Sequence, residues 1–420
     1  MTTASWTLPA TAALAARCLT SPTCAASPSS ALFPERGKEE EEGRIVSHTC
    51  PSTGTSGRTC STGKTLVLLG SSCLLSMALS FKLLCNLIDI SSGVFCLLLR
   101  IHRGKDAVNF LEKLTVADLQ SLTEQTGTLS LLTNENGGVK DDSVITKIAS
   151  DHVYLVVNAG CREKDISHFK EHVEATKKSG SDVEMQVHEE NGIIAVQGPK
   201  AQEALQTLTS ADLEKLYFSQ FANIPLANSK AWVTRTGYTG EDGFEIALPK
   251  ESAESLVGGL LKHKDVKLAG LGARDSLRLE AGLCLYGSDL NEEITPVEAG
   301  LTWTIGKRRR EKYDFLGSET IKDQVENGPS KRRVGLYNAG PPARGHSAIT
   351  TPEGETVGEV TSGAFSPNLN RNIAMGYAQR PWNKQGSSLK VQVRNKAFDA
   401  EAVKMPFVPM KFHRPPEQKQ

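Results

Sequence analysis

The amino-acid sequence predicts an α+β fold with a ferredoxin-like part and a small β-barrel at its C-terminal end. Two observations predict it. From Gly104 to about residue 305, apolar β-branched runs alternate with amphipathic stretches bounded by turn residues. After Lys331 the helical spacing disappears, and short strand-like runs follow one another with Gly, Pro and Asn between them.

Taken in order, VYLVVNAG (Val153 to Gly160) reads as a buried strand from its β-branched run. Glu163 to Gly180 spaces Ile166, Phe169 and Val173 along one helix face and ends on a glycine stop. VEMQVHE and GIIAVQG read as a strand pair, Ala201 to Leu208 as a second helix and AWVTRTG as a further strand, together an α+β unit of ferredoxin-like character. RRVGLYN, ETVGEVTSG, NIAMGYA, SLKVQVR and EAVKMPF supply the barrel strands. Gly306 to Ser330 reads as the linker, with its GKRRR run as a solvated basic segment or, alternatively, a contact for an acidic carrier protein.

A chain of 420 residues, 39% of them apolar, can bury a sizeable core and has the length of two or three domains. Its 48 basic and 48 acidic side chains cancel, so no global field draws it to nucleic acid or an anionic membrane. A small molecule or a protein is the expected partner. Seven of the nine cysteines lie before residue 100 and none has a CxxC spacing, so the main body is no disulfide scaffold and no metal site is predicted.

The first 34 residues contain no acid, a single Arg17 and much Ala, Ser and Thr, which suits an organelle transit peptide or an unstructured terminus. Leu66 to Ile101 is strongly apolar, and its best window, Leu66 to Ile88, approaches a membrane span. Lys82 interrupts it, at roughly 2.5–3.5 kcal/mol near a bilayer centre, so a span is not the favoured reading. GRTCSTGKT (Gly57 to Thr65) resembles a phosphate loop but encloses five residues between its glycines where four are needed.

Three segments carry candidate chemistry. Asn134 to Gly138 is a turn, and Asp141 and Asp142 begin the strand after it, so their carboxylates face opposite sides of the sheet. One of them can polarise a bound amine, or both satisfy turn N–H groups. RTGYTGEDGFEI places Gly237, Gly240 and Gly243 three apart around Tyr238, a tight loop that lets backbone approach a ligand. Glu245 then sits in an apolar strand, where a salt bridge or a ligand must offset its burial. In ARDSLRLEAGLCLYG, Arg274 and Arg278 share a helix face at i and i+4, placed to hold a carboxylate bidentately or to pair with Asp275 or Glu280, and Gly282 stops the helix.

NENGGVKDDSVIT, YLVVNAGCREKD, AVQGP, RTGYTGEDGFEI, LGARDSLRLEAGLCLYG, TPVEAGLTWTIGKRRR, TSGAFSPNLNRNIAMGY and KMPFVP, in this order, resemble the glycine cleavage T-protein family of aminomethyltransferases over Gly104 to Phe412. The resemblance implies a three-domain cloverleaf around a central folate site. It implies transfer of a one-carbon unit from the aminomethyl-dihydrolipoyl arm of the H-protein to tetrahydrofolate, the acceptor substrate, with release of ammonia and no metal. Carried over by motif, Asp142 is the catalytic carboxylate and Asp141 its non-catalytic neighbour. Glu245 and Arg274 contact the folate, Asn158 and Tyr238 line the pocket, and Phe412 stands where the family commonly has a tyrosine. The implied partners are the lipoylated H-protein with the P- and L-proteins, and the implied address is the mitochondrial matrix. Relatives of this fold in tRNA modification carry a KGCYxGQE-like motif, which RTGYTGEDGFE does not match. A membrane-anchored scaffold is the alternative from another class.

The family's opening segments, of the kind GGKMVPFAGW and LFDVSHM, do not occur here, and only NLIDIS faintly resembles the second. Residues before about His102 are therefore expected outside the family fold, as the product of a shifted reading frame or an unspliced intron. The expected division is an atypical region over 1–102, the folate-binding part over 103–305, a linker over 306–330, the barrel over 331–412 and a tail over 413–420.

Overall fold

The computed structural model describes residues 104–416 and the backbone of two earlier strands, Thr65–Leu69 (β1) and Cys96–His102 (β2). Three sheets organise these residues. The first has five strands in the order β3-β4-β5-β2-β6, formed by Thr126–Thr133 (β3), Val139–Ala149 (β4), His152–Asn158 (β5), β2 and Glu184–Val187 (β6). Helices Ala107–Leu114 (α1) and Arg162–Lys178 (α2) cover one face of it. The apolar positions of α2, Ile166, Phe169 and Val173, pack with Leu111, Leu114, Val153 and Leu155, as the 3.6-residue spacing requires. Phe169 is fully buried, so truncation to alanine costs about 3–5 kcal/mol.

The second sheet has six strands, ordered β11-β1-β7-β10-β9-β8. It comprises β1, Asn191–Gln197 (β7), Phe221–Leu226 (β8), Ser229–Thr234 (β9), Gly243–Pro249 (β10) and Val266–Leu268 (β11). Its core joins Ile194, Phe244 and Ile246 to the helices Ala201–Gln206 (α3) and Lys250–Leu260 (α4). The first two sheets meet through Tyr154, Ile193, Phe221 and Ala247, flanked by Trp232. At this seam the hydroxyls of Tyr154 and Thr234 lie 2.5 Å apart.

Leu271–Glu280 (α5) leads to the third sheet, a closed barrel in the order β12-β15-β14-β13-β16-β17. Its strands are Lys331–Asn338, Ala348–Thr350, Thr356–Ser366, Arg371–Gln379, Ser388–Val393 and Lys396–Val403, β12 to β17 in turn. Arg278 at the end of α5 reaches Asp289 at 2.7 Å and Ser362 of β14 at 2.9 Å, and the Glu280 carboxylate accepts from Ser366 and Asn368. The α+β fold with a C-terminal barrel is therefore the one the sequence predicts.

Four expectations change. VEMQVHE and GIIAVQG are both strands but do not pair with each other: β6 pairs with β2, and β7 with β1 and β10 in the other sheet. The stretch read as one α+β unit is thus divided between two sheets, because strands distant in sequence supply the partners. The three-residue β13, too short for a sequence pattern, adds a sixth strand to the barrel. The GKRRR segment is solvated only in part: it enters the helix Lys307–Lys312 (α6), followed by Ser318–Asn327 (α7), with Lys307 and Arg310 exposed but Arg308 and Arg309 turned to the protein. Arg309 is 1% exposed, with the Glu112 backbone carbonyl and the Asp314 carboxylate as partners, and Arg308 pairs with Glu112 at 2.5 Å and Asp118 at 2.7 Å.

The fourth change concerns the front end. Residues 96–102, expected outside the fold, form a strand between β5 and β6, with Leu99 opposite both Leu155 and Val187. Thr65–Leu69 likewise pairs with β7 and β11. The candidate transit segment, and the membrane window apart from β1, lie outside the described residues. Among those described, no helix is long and apolar enough to cross a membrane.

Candidate active site

Period-two alternation along β4 sends Val139, Asp141, Ser143 and Ile145 into the core and turns Asp142 and Val144 to the opposite face. The two aspartates do face opposite ways, as expected of neighbours in a strand. Neither binds the preceding turn, whose Asn136 and Gly138 N–H groups go to the side-chain oxygen of Asn134. Both aspartates are held instead by Asn158 at the end of β5. Its Nδ2 donates to Asp141 Oδ1 and to Asp142 Oδ1, each at 2.9 Å, while its backbone N–H donates to Asp141 Oδ2 at 3.1 Å.

The Asp142 face of the first sheet looks onto the second across a cavity. Val144, Tyr154 and Val156 line one side, and Ile193, Trp232, Thr234, Thr236 and Glu245 the other. Asp142 is half-buried, and desolvation, then the neighbouring Asp141 charge, push its pKa up to about 7 against the opposing effects of Asn158 and Arg274. Burial also raises Glu245, with Arg274 as the one opposing charge. Among the described residues the Glu245 carboxylate has neither a hydrogen bond nor an ion pair, so the salt-bridge reading of its burial does not hold.

Arg274, in α5, lies with its guanidinium carbon 4.4 Å from the ring centre of Tyr238. Its Nη1 is buried and has no hydrogen-bond partner among the described residues. Arg278, the other arginine of the i,i+4 pair, is fully committed: to Asp275, as expected, and to Asp289, but not to Glu280. Tyr238 donates its hydroxyl to the carbonyl of Cys284 and feels the charges of Asp142 and Arg274. Asp142, Asn158, Tyr238, Glu245 and Arg274, drawn from a span of more than a hundred residues, thus form one linked polar cluster, of which Glu245 lines the cavity.

Phe412 does not join them through any described contact. Its ring stacks on Phe218, with centroids 4.1 Å apart, beneath Arg414. The glycine loop also differs from expectation. A Cβ on Gly237 would lie 1.7 Å from the side-chain oxygen of Gln197, and Gly240, at φ +74°, packs against Ala281. These glycines admit protein side chains rather than a ligand. Arg235 and Asp242, joined at 2.9 and 2.5 Å, close the loop that carries Tyr238 beneath Arg274.

Sequence reasoning does not reach Asp165. On α2 it lies one turn before Phe169 on the buried face, and a carboxylate on an apolar stripe is the signal that marks it. Asp141, Cys161 and Asp165 bring their oxygen and sulfur atoms within 4.8 Å of one another. Desolvation and Asp141 raise Cys161 to about 12 and Asp165 to about 9.

A half-buried acid near neutrality, an arginine nitrogen without a partner and a second unpaired acid make this cluster the candidate site for a polar small molecule. Residues 90–309 match the GCVT N-terminal domain, and residues 331–409 match the glycine cleavage T-protein C-terminal barrel domain. The chain is 56% identical over 315 residues to the mitochondrial aminomethyltransferase of Flaveria trinervia, covering 74% of this chain and 77% of that protein. It is 46% identical over 330 residues to the human mitochondrial aminomethyltransferase, covering 78% and 81%. The crystal structure of glycine cleavage system aminomethyltransferase T from Bartonella henselae superposes with a TM-score of 0.73 at 32% identity, over 84% of this chain and 88% of that one. The chain belongs to the glycine cleavage T-protein family of aminomethyltransferases. The family match begins at residue 90, so the boundary expected near His102 moves back to include β2.

Proposed function

We propose that this aminomethyltransferase passes the one-carbon unit of an aminomethyl-dihydrolipoyl H-protein to tetrahydrofolate, releasing ammonia and leaving 5,10-methylenetetrahydrofolate. The observation that carries the reading is the unpaired Arg274 nitrogen, whose guanidinium charge acts on both Asp142 and Glu245. Atoms balance without a redox step: the two N–H hydrogens lost by the folate appear on ammonia and on the freed thiol. A group that accepts a proton from the attacking amine and returns it to a leaving group works best with a pKa near the operating pH. Asp142, at about 7, meets that requirement. Asn158 fixes its rotamer, and its negative form stabilises positive charge developing at the aminomethyl carbon and nitrogen.

In this reading Glu245 accepts from N–H groups of the folate and Arg274 takes an anionic or carbonyl oxygen of it, with Tyr238 holding the guanidinium plane. Phe412 is assigned a ring contact beside the ligand. The P- and L-proteins act in the same system, and the aminomethyltransferase relatives, mitochondrial by name, support a mitochondrial address, with the matrix as the compartment. The proposed division has the folate-binding part ending at 305, 306–330 joining it to the barrel of 331–412, and a tail over 413–420.

Turnover of aminomethylated H-protein with tetrahydrofolate tests the reading. Ammonia release is expected to be stimulated by folate and to fall by about two orders of magnitude in Asp142→Asn. Equal rates in parent and variant remove the role given to Asp142. Absence of folate stimulation in the parent removes the acceptor.

A further inference from the structure

On the face of β4 opposite Asp142 lies a second acidic group that the proposed reaction does not use. Asp165 is 0% exposed, and both of its carboxylate oxygens are buried with no hydrogen-bond partner among the described residues. The side chains of Asp141 and Cys161 lie close to it, their oxygen and sulfur atoms and its own within 4.8 Å of one another. Asp141, also fully buried, accepts two bonds from Asn158, and Asn158 in turn donates to Asp142. Two ionised carboxylates cannot share so small a buried volume without a compensating charge. We infer that Asp165 is a positioning residue, a neutral carboxylic acid whose proton is shared with Asp141, so that Asp141 stays an acceptor for Asn158 and Asn158 stays aligned on Asp142.

The groups facing Asp165 fit a shared proton. Burial and the Asp141 charge raise its pKa to about 9, while Lys164 and Lys140 lower it. The Cys161 thiol, pushed up to about 12, stays neutral throughout the working range, and Lys164, raised further by Tyr286 and Glu292, stays charged. A divalent cation among the same three side chains is the competing occupant, since two carboxylates and a thiol are a credible donor set. Against it, both oxygens of Asp141 already accept from Asn158, and the lysine charges act on the same group.

This inference rests on the reading of Asp142 given above, and its test has one arm that does not. In the full-length protein, Asp165→Ala is expected to lower kcat by about tenfold with KM for tetrahydrofolate unchanged, because a misaligned reacting group loses rate rather than binding. Asp165→Asn, whose amide donates to Asp141 as the acid does, is expected to recover most of that loss and to lack the parent's fall in kcat above about pH 9. A variant Asp165→Asn as slow as Asp165→Ala, or one that keeps the alkaline fall, overturns the proposal.

The arm independent of turnover is unfolding followed against pH. An acid at about 9 in the native state and near 3.8 when unfolded costs the parent stability progressively across that interval. Asp165→Asn should therefore gain on the parent from pH 4 to 9 and by a constant margin above it. A flat difference overturns the shared proton, as does zinc chloride that stabilises the parent but not Asp165→Asn. If the parent shows no aminomethyl transfer, the functional reading fails while the unfolding arm still decides the state of Asp165.

Discussion

Arg278 and Arg274 stand one turn apart on α5, one at the barrel junction and the other over Tyr238, with its charge acting on Asp142 and Glu245. Arg278 is buried with its nitrogens committed to Asp275, Asp289, Ser362 and the carbonyl of Leu283. Arg274 lies over an aromatic ring with a buried nitrogen that nothing among the described residues accepts from. The acids divide in the same way. Asp289 accepts from Leu285 N–H, Thr361 and Ser362 besides its arginine, and Glu280 from Ser366 and Asn368, whereas Glu245 has no such partner. Satisfied polar groups hold the barrel on the α+β body. Unsatisfied ones, costly to leave bare, are where the proposed function places its ligand.

Removing a partner from the satisfied side should produce the largest effect. Asp289→Ala leaves the buried Arg278 guanidinium with only the partly exposed Asp275 as counter-charge, and a loss of about 3 kcal/mol is expected in urea unfolding. A loss under about 1 kcal/mol would erase the contrast between the two ends of the helix.

On the other side, Asp142→Asn should cost about a hundredfold in kcat, or roughly 2.7 kcal/mol of transition-state stabilisation, and no stability. The pH dependence has a definite sign. The native pKa of about 7 lies above the ordinary 3.8, so the contribution of Asp142 to stability is complete below about pH 4 and is lost as pH rises through 7. Asp142→Asn should flatten that part of the stability profile, and the parent's kcat/KM should rise through pH 7 as the carboxylate forms. A rate that falls through pH 7 would make Asp142 an acid rather than a base.

Arg274→Gln comes next. Because its Nη1 has no partner to orphan, unfolding should change by no more than about 0.5 kcal/mol. Loss of one charged hydrogen bond to the ligand should weaken tetrahydrofolate binding by about tenfold in calorimetric titration. A destabilised Arg274→Gln with unaltered binding would put Arg274 on the structural side with Arg278.

The same contrast explains what could be read before the structure. Strands and helices from Gly104 onward were legible because Val153, Phe169, Ile246 and Leu336 follow the period of their own element. Sheet membership was not: β6 and β7 are neighbours in sequence, yet each finds its partners in a strand supplied from far along the chain. Arg308 and Arg309 looked solvated because a charge run carries no mark of its partners, and Glu112 lies almost 200 residues away. Asp142, Glu245 and Arg274 each admitted a structural explanation alone. Only their convergence, with the commitment of Arg278 elsewhere, separates the two.

Phe412 tests the boundary between the two sides, with the smallest effect. It belongs to a terminal segment that is itself well satisfied: Lys411 donates its backbone N–H to Gly240, Phe218 donates to His413, and the Phe412 ring lies flat on Phe218. A ligand contact there would be through the exposed part of the ring, since no hydroxyl is available to hydrogen-bond. Phe412→Tyr supplies one, and a single neutral hydrogen bond at the low end of its range, about 0.5 kcal/mol, tightens tetrahydrofolate binding about twofold. Unfolding should not change, because the added oxygen projects from a half-buried ring. If binding is also unchanged, Phe412 serves only to pin the terminal segment to Phe218, and the ligand side of the molecule stops at the cavity between the two open sheets.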